Sequence, residues 1–258
     1  MAWHGVTRQG KARRGNARRG NARQGKVKIN SKEDIYINNW EEKRKIAIVE
    51  ADDFYDDWSR NGLNFLFAWK AKYPKFKITL YTIPNRTSQA MLDLLARHSE
   101  WIELAVHGWD HESNFECYGW DYDRTKMFMK RAMKEPYTKN FKAPGWTITP
   151  GFNGYPANPT DPITKDPQGV YKALTDMGYV ICDRHYNKPA RPENAKIICI
   201  DCNPDIIHFH TWNVPSADPN GRNGFQDIEE RFGVPWTEET TFKFMSEAWQ
   251  EGLYQECK

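Results

Sequence analysis

The sequence predicts an α/β fold in which about seven short parallel strands alternate with helices. Three observations predict it. Apolar runs of strand length recur along the chain, helix-period segments separate them, and Asp or His stands just past strand after strand. A chain of 258 residues is long enough for such a unit as one large domain. Chain order leaves both a closed, irregular barrel and an open doubly wound sheet available. Either would carry its functional residues at the carboxyl ends of the strands.

The elements follow in order. The folded body is expected over residues 40–258 and opens with a buried strand, KIAIVEA, over 45–51. Leu63, Leu66, Phe67 and Lys70 have helical spacing within 61–73, and FKITLYTI over 76–83 alternates as a strand. Ser88 is an N-cap candidate for a helix over 88–98. A strand over 101–106, a helix over 123–134 and a short strand over 140–143 come next. A helix over 168–177 is ended by Gly178. Strands over 179–182, 196–200 and 205–210 follow, and the spacing predicts one closing helix over 237–251.

Residues 1–39 are read as a disordered, low-complexity basic tail. It repeats every five residues from Gly10, Gly15 and Gly20. The first 30 residues hold nine Lys and Arg and no acid, so the overall net charge of +3 conceals a net acidic body. That body has no basic footprint for nucleic acid, which leaves the tail as the one polyanion-binding candidate. A translated repeat ahead of the real domain is the reading adopted. No apolar run is long enough to cross a bilayer and no apolar stretch follows the basic N-terminus, so no membrane partner and a cytoplasmic location are expected. Five cysteines, one pair of them in Cys199-x-x-Cys202, fit a reduced protein better than a disulfide framework. The 11 tryptophans suit core packing, or a cleft where flat rings meet sugars.

The chemistry stands at the strand ends: Asp52-Asp53 after the first strand, His107-Gly108-Trp109-Asp110-His111 after the third, Lys142-Ala143-Pro144-Gly145-Trp146 after the fourth, Asp183 after the fifth, and His208-Phe209-His210 on the seventh. Two imidazoles four residues apart can face one point if the chain turns helically between them. With a carboxylate from a neighbouring strand they make a three-ligand divalent-metal site that keeps positions open for water. Adjacent carboxylates divide the labour, one on the metal and one left as a base. His208 and His210 share a strand face, so one can serve as an acid while the other orients it or packs.

In this order the motifs resemble the polysaccharide deacetylase superfamily (NodB-homology, carbohydrate esterase family 4) over roughly residues 45–212. The resemblance implies a distorted (β/α) barrel of about seven strands. It implies a divalent metal on Asp53, His107 and His111, with zinc the first expectation and cobalt, nickel, manganese or iron the others. It implies Asp52 as general base, His210 as general acid, and Lys142 in the place of an arginine that steadies the base. The reaction implied is removal of an acetyl group from an N- or O-acetylated carbohydrate, the expected partner. Trp109, Pro144, Gly145, Trp146, Asp183, His208 and Trp212 are expected on the substrate side. The chain departs from the usual pattern at Gly108, where Ser or Thr is common, and at Lys142, which keeps the charge but loses the forked geometry. A metal-retaining carbohydrate binder without turnover, and an amidohydrolase acting on a small non-sugar amide, are the competing functions.

Overall fold

The computed structural model describes residues 46–146, 148, 166–184, 190–203, 205–210 and 238–254. The expected basic tail and Trp212 lie outside them. Eight parallel strands form one sheet: β1 (Ile46–Phe54), β2 (Ile78–Thr82), β3 (Ile102–His107), β4 (Asn140–Lys142), β5 (Val180–Asp183), β6 (Lys196–Cys199), β7 (Ile206–His210) and β8 (Thr241–Lys243). Seven run in the order β6-β5-β4-β3-β2-β1-β7, a distorted (β/α) barrel curled through about half its turn. Among the described residues the α-helices are α1 (Asp56–Lys72), α2 (Gln89–Ala96), α3 (Tyr122–Ala132), α4 (Pro167–Asp176) and α5 (Met245–Gln250).

The eighth strand corrects the single closing helix that the sequence predicts. Thr241, Phe242 and Lys243 pair with the amino half of β1, while β7 takes its carboxyl half. Phe242 is buried among Phe76, Trp69 and their neighbours, a burial that outweighs the helical periodicity of so short a segment. The cap signals hold better. The Ser88 hydroxyl accepts the Met91 N–H, and Asp121 and Asp166 cap α3 and α4 in the same way.

Strand alternation sorts the side chains into two sets. Val49, Ala51, Leu80 and Leu104 face helices α1 and α2 and join Leu66, Trp69, Leu92 and Trp101. Val106, Phe141 and Ile181 face α3 and α4, with Trp120, Met129 and Leu174. The opposite parity, Ile48, Tyr81, Ala105, Cys182, Ile198 and Ile206, packs inside the curl with Met245. Glu50, Asp52, His107, Lys142, His208 and His210 share that inner parity on their strands, so a period of two delivers them to one place. Trp69, Trp101 and Trp120 are fully buried, so part of the tryptophan excess is core packing.

Cys117, Cys182 and Cys199 are buried thiols, whereas Cys202 is disulfide-bonded. The expectation of a reduced protein does not hold at Cys202. Among the described residues no helix is long and apolar enough to cross a membrane.

Candidate metal centre

The site begins with an irregularity in β1. Ala51 pairs with Leu80 and Phe54 with Thr82, so β1 carries one more residue than β2 across this stretch. This is a β-bulge, and Asp53 sits in it at φ 59°. In a regular strand Asp52 and Asp53 would face opposite ways. The bulge turns Asp53 back so that both carboxylates reach the same cluster.

Asp53 Oδ1 lies 3.1 Å from His107 Nε2 and 3.0 Å from His111 Nε2. Ligands about 2.1 Å from one ion stand about 3.0–3.4 Å apart, so Asp53 Oδ1 stands at that spacing from both imidazoles, and the trio's ligand atoms all lie within 4.8 Å of one another. His107 Nδ1 is 3.2 Å from the Lys142 carbonyl oxygen. Donation to that carbonyl leaves the Nε2 lone pair for a metal, the usual arrangement of a ligating histidine. Burial pushes the His107 pKa down, but Asp52 and Asp53 outweigh it and the net direction is up.

Lys142 is fully buried beside Asp52. Its ammonium donates to Asp52 Oδ1 at 2.6 Å and to Glu50 Oε2, and it lies 4.4 Å from the Tyr81 ring centre and 4.0 Å from that of Trp146. Burial alone would raise the Asp52 pKa. The charges of Lys142, His107, His208 and His210 reverse it and hold this carboxyl well below the ordinary range. For Lys142, burial lowers the pKa while Asp52 and Glu50 raise it further, so it stays charged.

Glu50 was not among the residues singled out in the sequence. Registry explains its place: Glu50 is beside His208 and Asp52 beside His210 on β1 and β7. His208 Nδ1 is 2.8 Å from Glu50 Oε1, and its Nε2 is 4.0 Å from Asp52 Oδ2. His210 Nε2 lies 3.7 Å from Asp53 Oδ2. The signal for Glu50 was its parity with Asp52 two residues on.

Two trios among the described residues bring three ligand atoms within 4.8 Å of one another: Asp53, His107, His111 and Asp52, His208, His210. The first suits a cation better, because the Lys142 ammonium already occupies Asp52. Three carboxyl groups, Glu50, Asp52 and Asp53, stand there with one ammonium, that of Lys142.

The other expected residues divide. Trp146, at φ 62°, lies edge-on to His208 with ring centres 5.2 Å apart. Gly145, at φ 57°, runs so close to Asn114 that an added Cβ would stand 2.7 Å from that side chain, and Pro144 packs under Gly108. Trp109 instead stacks on Phe128 at 5.0 Å, with Arg131 over its ring. Asp183 accepts from the Tyr171 hydroxyl at 2.6 Å and from Arg191 Nε at 3.1 Å. Neither Trp109 nor Asp183 is brought into the Asp-His cluster by these contacts.

No protein-family model and no curated protein matches the chain. Similar solved structures do exist. A family 4 acetyl xylan esterase from Clostridium thermocellum, in complex with a cobalt ion, is 14% identical with TM-score 0.47, covering 82% of this chain and 93% of that one. Carbohydrate esterases of family 4 are thus among the solved structures that this chain resembles. The chitin deacetylase of Colletotrichum lindemuthianum is 11% identical with TM-score 0.46, covering 79% and 87%. A CE4 family pseudoenzyme from Bacillus anthracis is 10% identical with TM-score 0.46, covering 80% and 66%. At these identities and TM-scores the likeness carries no argument about activity, which rests on the site.

Proposed function

We propose that this protein is a metal-dependent hydrolase that removes acetyl groups from an N- or O-acetylated carbohydrate. The observation that carries the proposal is the Asp53–His107–His111 trio at ligand spacing, with the Asp52 carboxylate one residue away and held ionised. Those three residues would hold one divalent ion, zinc first by ligand type and cobalt, nickel, manganese or iron next. Bound there, the ion would lower the pKa of water and polarise an acyl oxygen.

The chain's own groups supply the rest. Asp52 accepts the proton of the attacking water, and Lys142 fixes its orientation by the 2.6 Å bond. His210 Nε2, 3.7 Å from the ligand carboxylate Asp53, is placed to protonate the leaving amine or alcohol. The C–N or C–O bond of the acetyl group breaks, and acetate and the free sugar group leave. Burial lowers the His210 pKa against the pull of Asp52 and Asp53, so its imidazolium is a stronger acid but a smaller fraction at neutral pH. His208 is a relay whose tautomer is set by Glu50. Trp146 supplies a flat apolar wall beside it.

The test is release of acetate from acetylated chitooligosaccharides and acetylxylan by zinc- or cobalt-loaded protein. Turnover that is lost on chelation and in Asp52→Asn, with metal still bound in that variant, supports the proposal. Tight glycan binding without turnover under any of these metals contradicts it, and so does turnover confined to small non-sugar amides.

A further inference from the structure

We infer that Glu116 is a positioning residue for the second imidazole ligand, and that glycine at position 108, already favoured by its φ of 62°, also leaves room for the Glu116 carboxylate. The inference rests on the metal-centre reading above and deepens it.

The loop from His107 to His111 has a difficult task. His107 is fixed by β3 and by the Lys142 carbonyl, but His111 must return its ring to Asp53 four residues later. It does so with His111 at φ 49° and Gly108 at φ 62°. The left-handed region costs a non-glycine residue on the order of 1 kcal/mol or more, so the loop needs something to hold it there. Glu116 supplies it. Its carboxylate accepts the backbone N–H of Trp109 at 3.1 Å, of Asp110 at 2.8 Å and of His111 at 3.1 Å. Three successive N–H groups converging on one anion form a nest, which fixes the backbone angles of all three residues together. The last of them belongs to the ligand.

Gly108 supplies an independent observation. A Cβ built there would stand 2.3 Å from Glu116 Oε2 and 2.6 Å from Pro144 Cγ. The carboxylate and the missing side chain therefore go together.

Zinc affinity of the full-length protein, measured by competition with a chromophoric chelator, tests the inference. The visible absorption of the cobalt-loaded form reports ligand geometry independently of activity. Wild type is expected to bind one equivalent tightly. Glu116→Ala and Glu116→Gln are each expected to bind about 10–100-fold more weakly, with an altered cobalt band and unchanged far-ultraviolet circular dichroism. Gly108→Ala is expected to weaken binding in wild type, and by a smaller factor in the Glu116→Ala background, where one of its two clashes is gone. Glu112→Ala, at an exposed neighbour, is the control and should bind as wild type does. If wild type binds tightly and both Glu116 variants match it in affinity and cobalt spectrum, the inference is overturned and the metal centre stands. If wild type binds no metal, the metal-centre reading fails and this inference fails with it.

Discussion

The two ends of the sheet each bury a cluster of polar side chains, and the clusters are built differently. At the amino ends of β2, β3 and β4, Glu103 accepts from the Thr79 hydroxyl at 2.6 Å and from Asn140 Nδ2 at 3.1 Å, and the Ser246 N–H reaches it at 3.3 Å. Thr79 Oγ1 in turn accepts the Met245 N–H at 2.9 Å, which pins α5 under the barrel. At the carboxyl ends, three carboxyl groups stand with one ammonium. The three non-glycine residues with positive φ among the described ones, Asp53, His111 and Trp146, all stand at that end. The difference separates a hydrogen-bonded cluster in regular strands from a strained one that, on the proposed function, would receive the metal. A satisfied network in regular strands stabilises, whereas strain persists where a bound group will relieve it.

Mutations should separate the two ends. The largest effect is expected from Asp52→Asn, which should lower kcat by about 10²–10⁴-fold while the protein still binds its metal, as acetate release and zinc titration would show. His210→Ala should follow with at least about 10²-fold in kcat. Glu50→Gln, which loosens both His208 and Lys142, should cost about 10–100-fold by the same assay.

Stability should respond in the reverse sense. Glu103→Ala is expected to lower the unfolding free energy by about 1–3 kcal/mol in urea titrations and leave metal affinity unchanged. Asp53→Asn is expected to raise the stability of the metal-free protein at pH 8 by on the order of 1 kcal/mol, because it removes one of the crowded carboxylates. In wild type, metal at one hundred times its Kd should add about 2.7 kcal/mol, and Asp53→Asn should abolish that increment.

The smallest effect concerns pH. Burial pushes the Glu103 carboxyl above its ordinary value of 4.5 despite its hydrogen bonds. The folded state then holds its proton more tightly than the unfolded state does. Stability from this group is present below 4.5 and falls as pH rises towards the folded value. Glu103→Gln should flatten that part of the pH–stability curve. A curve identical to wild type would show that Glu103 is not the source.

Much of this was legible in the sequence because two periodicities carry it. Apolar runs and cap residues located seven strands and most helices, and the placement of Asp and His at strand ends pointed to one end of the sheet. What stayed hidden depends on pairing between strands. Glu50 reads as an ordinary acid inside KIAIVEA until β7 brings His208 beside it. Glu116 lies five residues past His111 in a polar loop, and only the fold closes that loop onto its carboxylate. β8 was missed because Thr-Phe-Lys is too short to show a period of two and owes its strand form to Phe242. The bulge that aims Asp53 has no signature in Ala51-Asp52-Asp53-Phe54 beyond the need for both carboxylates to face one way.

Calorimetric zinc titration of wild type, Asp53→Ala and Asp52→Asn tests the centre of this account most directly. One equivalent should bind to wild type and to Asp52→Asn, and none of comparable affinity to Asp53→Ala. Zinc bound by Asp53→Ala as tightly as by wild type, or lost from Asp52→Asn alone, would contradict it.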